Sequence, residues 1–263
     1  NIAASLTLVF AFSMRIEGVA IGSAIAQWCG FIYGLLYAVF HYHPRLPRLK
    51  RLMDLTEIKR FFSVNTDIFL RTVCLVAVTL WFTRAGASQG VDILAANALL
   101  LQLFMFFSYF MDGFAFAGEA LAGKFHGAGE RQSLTDLIKR LSKIGVALAI
   151  SFSLVYMLFG DDILSILTDD SAVLNVCSQY RWWAIAIPVA GTMAFVWDGI
   201  LIGLTRTRIM LLSMIISSAL FFGLYFVTRP FLANHGLWLS FIIYLASRGM
   251  FELILYKHSV KKY

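Results

Sequence analysis

Among the ionisable side chains of stretches otherwise apolar enough to sit in a bilayer, the candidates for function are Asp67, Arg71, Asp112, Glu119, Asp198 and Glu252. A charge at mid-bilayer costs at least about 2.5–3.5 kcal/mol, so such groups pair with one another or line a polar cavity. Asp67 and Arg71 are four residues apart and Asp112 and Glu119 are seven apart, so on helices each couple shares a face. Arg71 is thus placed to pair with Asp67, or across to Asp112. Asp198 stands between Trp197 and Gly199 with no basic residue within one turn. It is therefore the acid expected to take up a proton or cation. Glu252 has Arg248 one turn before it and is expected to pair there. At about 1.5 Å per residue, Arg71 and Asp112 lie roughly 15 Å from the inner ends of their spans, and Asp198 roughly 8 Å. The chemistry these residues can do is proton or cation uptake in a polar cavity lined by Asp198, Asp112, Asp67, Arg71 and Asn97. The competing role is a structural ion network that fixes helix packing.

The elements that must position them follow from composition. Of 263 residues, 60% are hydrophobic and 14% charged, with a mean hydropathy of +0.77. Soluble domains run nearer 45–50% apolar and about 25% charged, so the fold class is all-α, a polytopic helical membrane protein. Spans long enough to cross fall at 18–40, 61–83, 92–122, 143–160, 178–203, 209–228 and 236–256, preceded by a short apolar run at 1–12. None shows the ten-residue alternation of a membrane barrel. The chain starts at Asn1 without a basic head, and the run at 1–12 reads as the end of a truncated helix.

Basic residues set the orientation. Six lie in 41–60, five in 124–143, two in 204–208 and three in the tail, sixteen of the 22 in all. The alternate connections carry only Arg15, Arg84 and Arg229, and 161–170 holds four aspartates. The rich side is cytoplasmic, with the C-terminus inside. Trp81, Trp182, Trp183 and Trp238 fall at the opposite boundary as interfacial anchors. The net charge of +7 is thereby explained by insertion, and no nucleic-acid partner is implied.

Domain organisation reads as 1–40, the end of one helix group; 41–60, a basic cytoplasmic linker with Pro44 and Pro47; and 61–263, a complete six-helix bundle. Gly18, Gly22 and Ala26, at four-residue spacing, read as a close-packing stripe. Pro188 is placed to kink its span, and Asn97 and Gln102 either line a cavity or bond a neighbouring helix. His41 and His43 read as interfacial. Cys29, Cys74 and Cys177 show no metal or redox spacing, and no metal or cofactor is implied. No HExxH, GxSxG or Walker loop occurs, so the chain reads as no enzyme; a membrane-embedded one would need a clustered nucleophile and base.

Three stretches carry a family resemblance: Asn65-Thr-Asp67-Ile-Phe-Leu-Arg71-Thr; Asp112-Gly-Phe-Ala-Phe-Ala-Gly-Glu119-Ala-Leu-Ala-Gly123 with Gly127-Ala-Gly129; and Trp197-Asp198-Gly-Ile-Leu-Ile-Gly203-Leu-Thr-Arg206. Together they resemble the MATE (multidrug and toxic compound extrusion) exporters, in the branch of the DNA-damage-inducible protein F. The resemblance implies twelve helices in two pseudo-symmetric lobes, with 1–40 as helices five and six and 61–263 as the C-lobe. It implies a monomeric secondary antiporter in the bacterial inner membrane that exports lipophilic or cationic compounds by alternating access. Asp198 falls where many relatives carry a cation-site carboxylate on helix ten. The sodium-coupled branch adds a Tyr four residues earlier, where this chain has Ala194, and an acid on helix seven, near which it has Arg71. The implied coupling ion is therefore the proton rather than sodium. In the proton-coupled branch the key Asp is on helix one. A lipid-linked substrate flippase of the same superfamily is the alternative, favoured by a more basic cavity.

Overall fold

The computed structural model describes residues 1–42 and 55–260, so most of the predicted linker, with His43, Pro44 and Pro47, lies outside the described residues. The chain divides into two compact units, Asn1–Ile58 and Lys59–Tyr263.

In the first unit, α1 (Ile2–Leu6) runs into a π turn at Thr7–Ala11 and is followed by α2 (Ile16–Tyr42). The chain reverses at Ser13, whose φ is 54°. A Cβ on Gly22 would lie 2.6 Å from the Ser5 hydroxyl oxygen, and one on Gly18 2.8 Å from Met14 Cβ. The glycine stripe thus serves close packing within this unit.

The second unit is built from α3 (Leu55–Ala87, which opens just ahead of the unit boundary), α4 (Val91–Gly127), α5 (Arg131–Leu167), α6 (Ser171–Gly203) and α7 (Thr207–Val260). Their apolar sequences leave helix as the structure that satisfies backbone polar groups in lipid. Three-residue turns at 88–90, 128–130, 168–170 and 204–206 make successive helices antiparallel. The Asp170 carboxylate caps α6, accepting from the backbone N–H of Ala172 at 2.9 Å and of Val173 at 3.4 Å, a standard answer to the unpaired donors of a helix start.

Among the described residues six helices are long and apolar enough to cross a membrane, one fewer than the seven expected spans. The last two, 209–228 and 236–256, form one element, α7, which is broken at Ala233 (φ 46°, ψ −119°). The halves fold back on each other: Phe221 meets Tyr244 with ring centroids 6.2 Å apart, and Ser213 meets Glu252. Helix α6 is the most enclosed, and from Gly191 to Leu201 almost every residue is buried. It runs unbroken through Pro188, so no break marks the expected kink. Phe69, Leu80, Phe106, Leu158 and Val227 are exposed, an apolar exterior suited to lipid contact.

Trp238 is not an interfacial anchor. It is fully buried, packs on Phe82 at 4.9 Å and donates its indole N–H to Asn97 Oδ1 at 2.8 Å. The break at Ala233 turns the start of the last span inward, which residue type and boundary position do not reveal. Trp182, by contrast, is exposed, with the Arg181 guanidinium 5.5 Å from its ring.

Candidate functional site

Small residues bring the charged helices together. A Cβ on Gly199 would stand 2.1 Å from the Ala115 carbonyl oxygen, and one on Gly203 2.3 Å from the Glu119 carbonyl oxygen. Helices α4 and α6 therefore cross nearly backbone to backbone, the small-residue packing common within membranes. A Cβ on Gly249 would be 2.6 Å from the Ala194 backbone nitrogen, so the second half of α7 lies equally close to the other side of α6. Gly199 follows Asp198 and Gly249 follows Arg248, so these two crossings set the two charges.

At the centre, Asp198 Oδ2 accepts hydrogen bonds from both Arg71 and Arg248, the latter at 2.6 Å. The Asp198 side chain is 10% exposed, Arg71 17% and Arg248 4%. The expectation of an unpaired Asp198 is thus overturned: its two cations come from α3 and α7, 127 and 50 residues away in sequence, where a search within one turn does not look.

The other local pairings change accordingly. Asp67 is not the partner of Arg71; its Oδ2 accepts from the Thr207 hydroxyl at 3.0 Å, tying α3 to the start of α7. Asp112 is half-buried and within electrostatic reach of Asp198 and Arg71, but makes no ion pair with Arg71. Arg248 serves Asp198 rather than Glu252. Glu252 is wholly buried, and its Oε1 accepts from the Ser213 hydroxyl at 3.3 Å. Glu119 contributes its backbone carbonyl to the glycine crossing.

Asn97 is in a different place. It sits fifteen residues before Asp112 on α4, roughly 22 Å along the helix. Its side-chain amide exchanges hydrogen bonds with that of Asn234, at 2.9 and 3.0 Å, and also accepts from Trp238. It therefore bonds a neighbouring helix, and it also borders a small cleft with Gln102. Gln102 further lines an apolar cavity of about 610 Å³ between α4 and α5, with Met105, Phe106, Tyr109 and Tyr156.

The structure thus brings Arg71, Asp198 and Arg248 into direct contact, sets Asp112 and Glu252 beside them, and leaves Asp67 and Asn97 in separate contacts. Arg248 and Ser213 are the members not singled out as site residues from sequence. The signal for Arg248 was present, a charge in an apolar span, but Glu252 one turn away gave it a false local partner.

Opposite charges meeting between three helices of so apolar a bundle are the kind of group that membrane proteins retain for function. Residues 67–227 match the MatE family, and the chain belongs to that family. It is 33% identical over 252 residues to "DNA damage-inducible protein F" of Escherichia coli, covering 95% of this chain and 55% of that protein. It is 25% identical over 260 residues to the Bacillus cereus "Probable multidrug resistance protein NorM", covering 94% and 56%. The chain thus spans about half the length of these relatives. A crystal structure of a variant of the Vibrio cholerae MATE transporter VcmN superposes with a TM-score of 0.87 at 16% identity, over 99% of this chain and 60% of that one. An outward-facing multidrug resistance MATE family transporter gives 0.77 at 13%, with the same coverage. At these identities the two structures establish the fold.

Proposed function

We propose that residues 61–263 form one lobe of a secondary antiporter that exports lipophilic or cationic compounds in exchange for protons, by alternating access. The observation that carries this reading is the buried group of Asp198, Arg71 and Arg248 with Glu252 beside it. Charges are kept in a lipid-embedded bundle at a cost that packing alone does not require, and acids in such a place are suited to proton uptake. The relative named for multidrug resistance supports export as the activity. The apolar cavity of about 610 Å³, within the size range of small-molecule sites, suits a lipophilic substrate. A flippase for lipid-linked anions gains no support, because each central arginine is answered by Asp198 and further acids flank them. Helix ends carrying Arg206, Lys257 and the basic residues of 124–143 favour a cytoplasmic C-terminus in the inner membrane.

The test places the intact gene product in liposomes and follows a fluorescent lipophilic cation under an imposed proton gradient. Accumulation is expected to follow the gradient, to stop when a protonophore collapses it, and to be indifferent to sodium. Accumulation driven by sodium with no proton gradient would refute proton coupling.

A further inference from the structure

The buried site contains two unanswered oxygen atoms. Asp198 Oδ1 and Glu252 Oε2 are both enclosed, and neither receives a hydrogen bond from a protein donor. Asp198 is bound by Arg248, one turn before Glu252, and Trp197 meets Tyr256, one turn after Glu252, with ring centroids 5.0 Å apart, so the two carboxyl groups lie at the same level on facing helices. Two carboxylates in this relation repel and leave both atoms unsatisfied, an expensive arrangement in an interior. A single hydrogen on Glu252 Oε2, donated to Asp198 Oδ1, satisfies both at once.

The surroundings decide which acid owns that hydrogen. Asp198 already accepts from two guanidinium groups through Oδ2, whereas Glu252 is paired with neither cation. Glu252 faces the hydroxyl of Ser213, which also bonds the Met210 carbonyl at 2.8 Å. The charged groups around Glu252 are Asp198 on α6, Arg71 on α3 and Arg248 on its own helix; both arginines are engaged by Asp198, and Arg248 makes no ion pair with Glu252. Asp112 on α4 bears on the site through Asp198 and Arg71.

From this we infer that Glu252 is the proton-carrying group of the bundle, and that Asp198 is the fixed anion that organises Arg71 and Arg248 and receives the Glu252 hydrogen bond. In the transport step Glu252 releases this proton to water in one conformation and takes one up from water in the other, while Asp198 remains the acceptor that holds Arg71 and Arg248. This rests on the antiport reading for its role in transport, but the assignment of the proton stands apart from transport and is measured separately.

The experiment is infrared spectroscopy of the intact, detergent-purified transporter at neutral pH, reading the carbonyl stretch of a buried protonated carboxyl group. The charge-preserving variants E252D and D198E identify its owner. The expected result is a band in the wild type that shifts in E252D, disappears in E252Q and holds its position in D198E to within the effect of an altered acceptor. No such band in the wild type, or a band that moves in D198E and not in E252D, overturns the assignment. In liposomes, E252Q is expected to bind the fluorescent cation while losing proton-driven accumulation; accumulation equal to wild type overturns the coupling role. If the wild type moves no dye under any gradient, the export reading fails, and the infrared result still decides where the proton resides. Should E252Q fail to fold, E252D carries the test.

Discussion

Replacing Asp198 by Asn should be among the most destabilising single polar changes in the bundle, and the structure fixes the order of its neighbours. At an effective dielectric near 20, opposite unit charges about 4 Å apart attract by ~4 kcal/mol. Asp198 holds two such partners on one oxygen. Much of that attraction offsets desolvation, so the measurable quantity is the cost of leaving a charge behind, about 3–5 kcal/mol for a broken buried pair. In D198N both guanidiniums lose their direct partner. In R248M Asp198 keeps Arg71, and the cost should be smaller. In R71M it should be smaller still, because Arg71 is the most exposed of the three, at 17%. The D198N/R248M double variant removes one charge of each sign and should recover about 0.5–3 kcal/mol relative to the sum of the single losses, the range for directly coupled residues. Denaturant titration of the purified protein in mixed micelles measures all four. Additive losses in the double variant, or an R71M penalty equal to that of D198N, would refute a shared buried site.

Three further outcomes follow from packing. G199V should cost at least about 1–3 kcal/mol, since even a Cβ would stand 2.1 Å from the Ala115 carbonyl oxygen; a variant as stable as wild type in the same titration would remove the close α4–α6 crossing. N97A should cost about 1–3 kcal/mol, because Asn234 and Trp238 both lose their partner in a buried place, and the Trp238 emission should change with it. A233G should stabilise by about 1 kcal/mol and A233V should destabilise, because Ala233 occupies a left-handed conformation that glycine adopts freely; equal thermal midpoints for the two variants would contradict the break.

The helical architecture was legible because lipid leaves few choices: apolar runs of sufficient length must be helices. Family membership was legible from three short motifs. The partners within the site were not, for one physical reason. Sequence spacing exposes pairs one turn apart, and it offered Asp67 with Arg71 and Glu252 with Arg248. In each case the arginine instead reaches across to Asp198, since an acid on the central helix is approached from two sides while a neighbour on the same helix competes from one face. Trp238 failed similarly. Its position at a span boundary suggested an anchor, but the reversal at Ala233 and the amide of Asn97 give its N–H a buried acceptor.

The glycines explain how the charge network coexists with tight packing. Gly199 directly follows Asp198 and Gly249 directly follows Arg248, so the positions that bring the helices nearest in space adjoin the positions that carry charge. The Asp198–Arg248 contact at 2.6 Å therefore depends on the Gly249 crossing of α7 with α6, and widening it lengthens the ion pair. The relation also runs in reverse. A change in charge on Glu252 or Asp198 alters the force between α6 and the second half of α7 where their backbones have least freedom to adjust locally, because packed interiors respond to strain by shifting whole elements rather than by small continuous deformation. On the inferred proton site, proton movement would be linked to the separation of α6 and α7 through the Gly249 crossing, which has no titratable group. A helix-spacing measurement between labels on α6 and on the second half of α7 should accordingly show a pH-dependent change in wild type that is absent in E252Q. A spacing that responds to pH equally in both would break the connection between the buried carboxyl and helix motion.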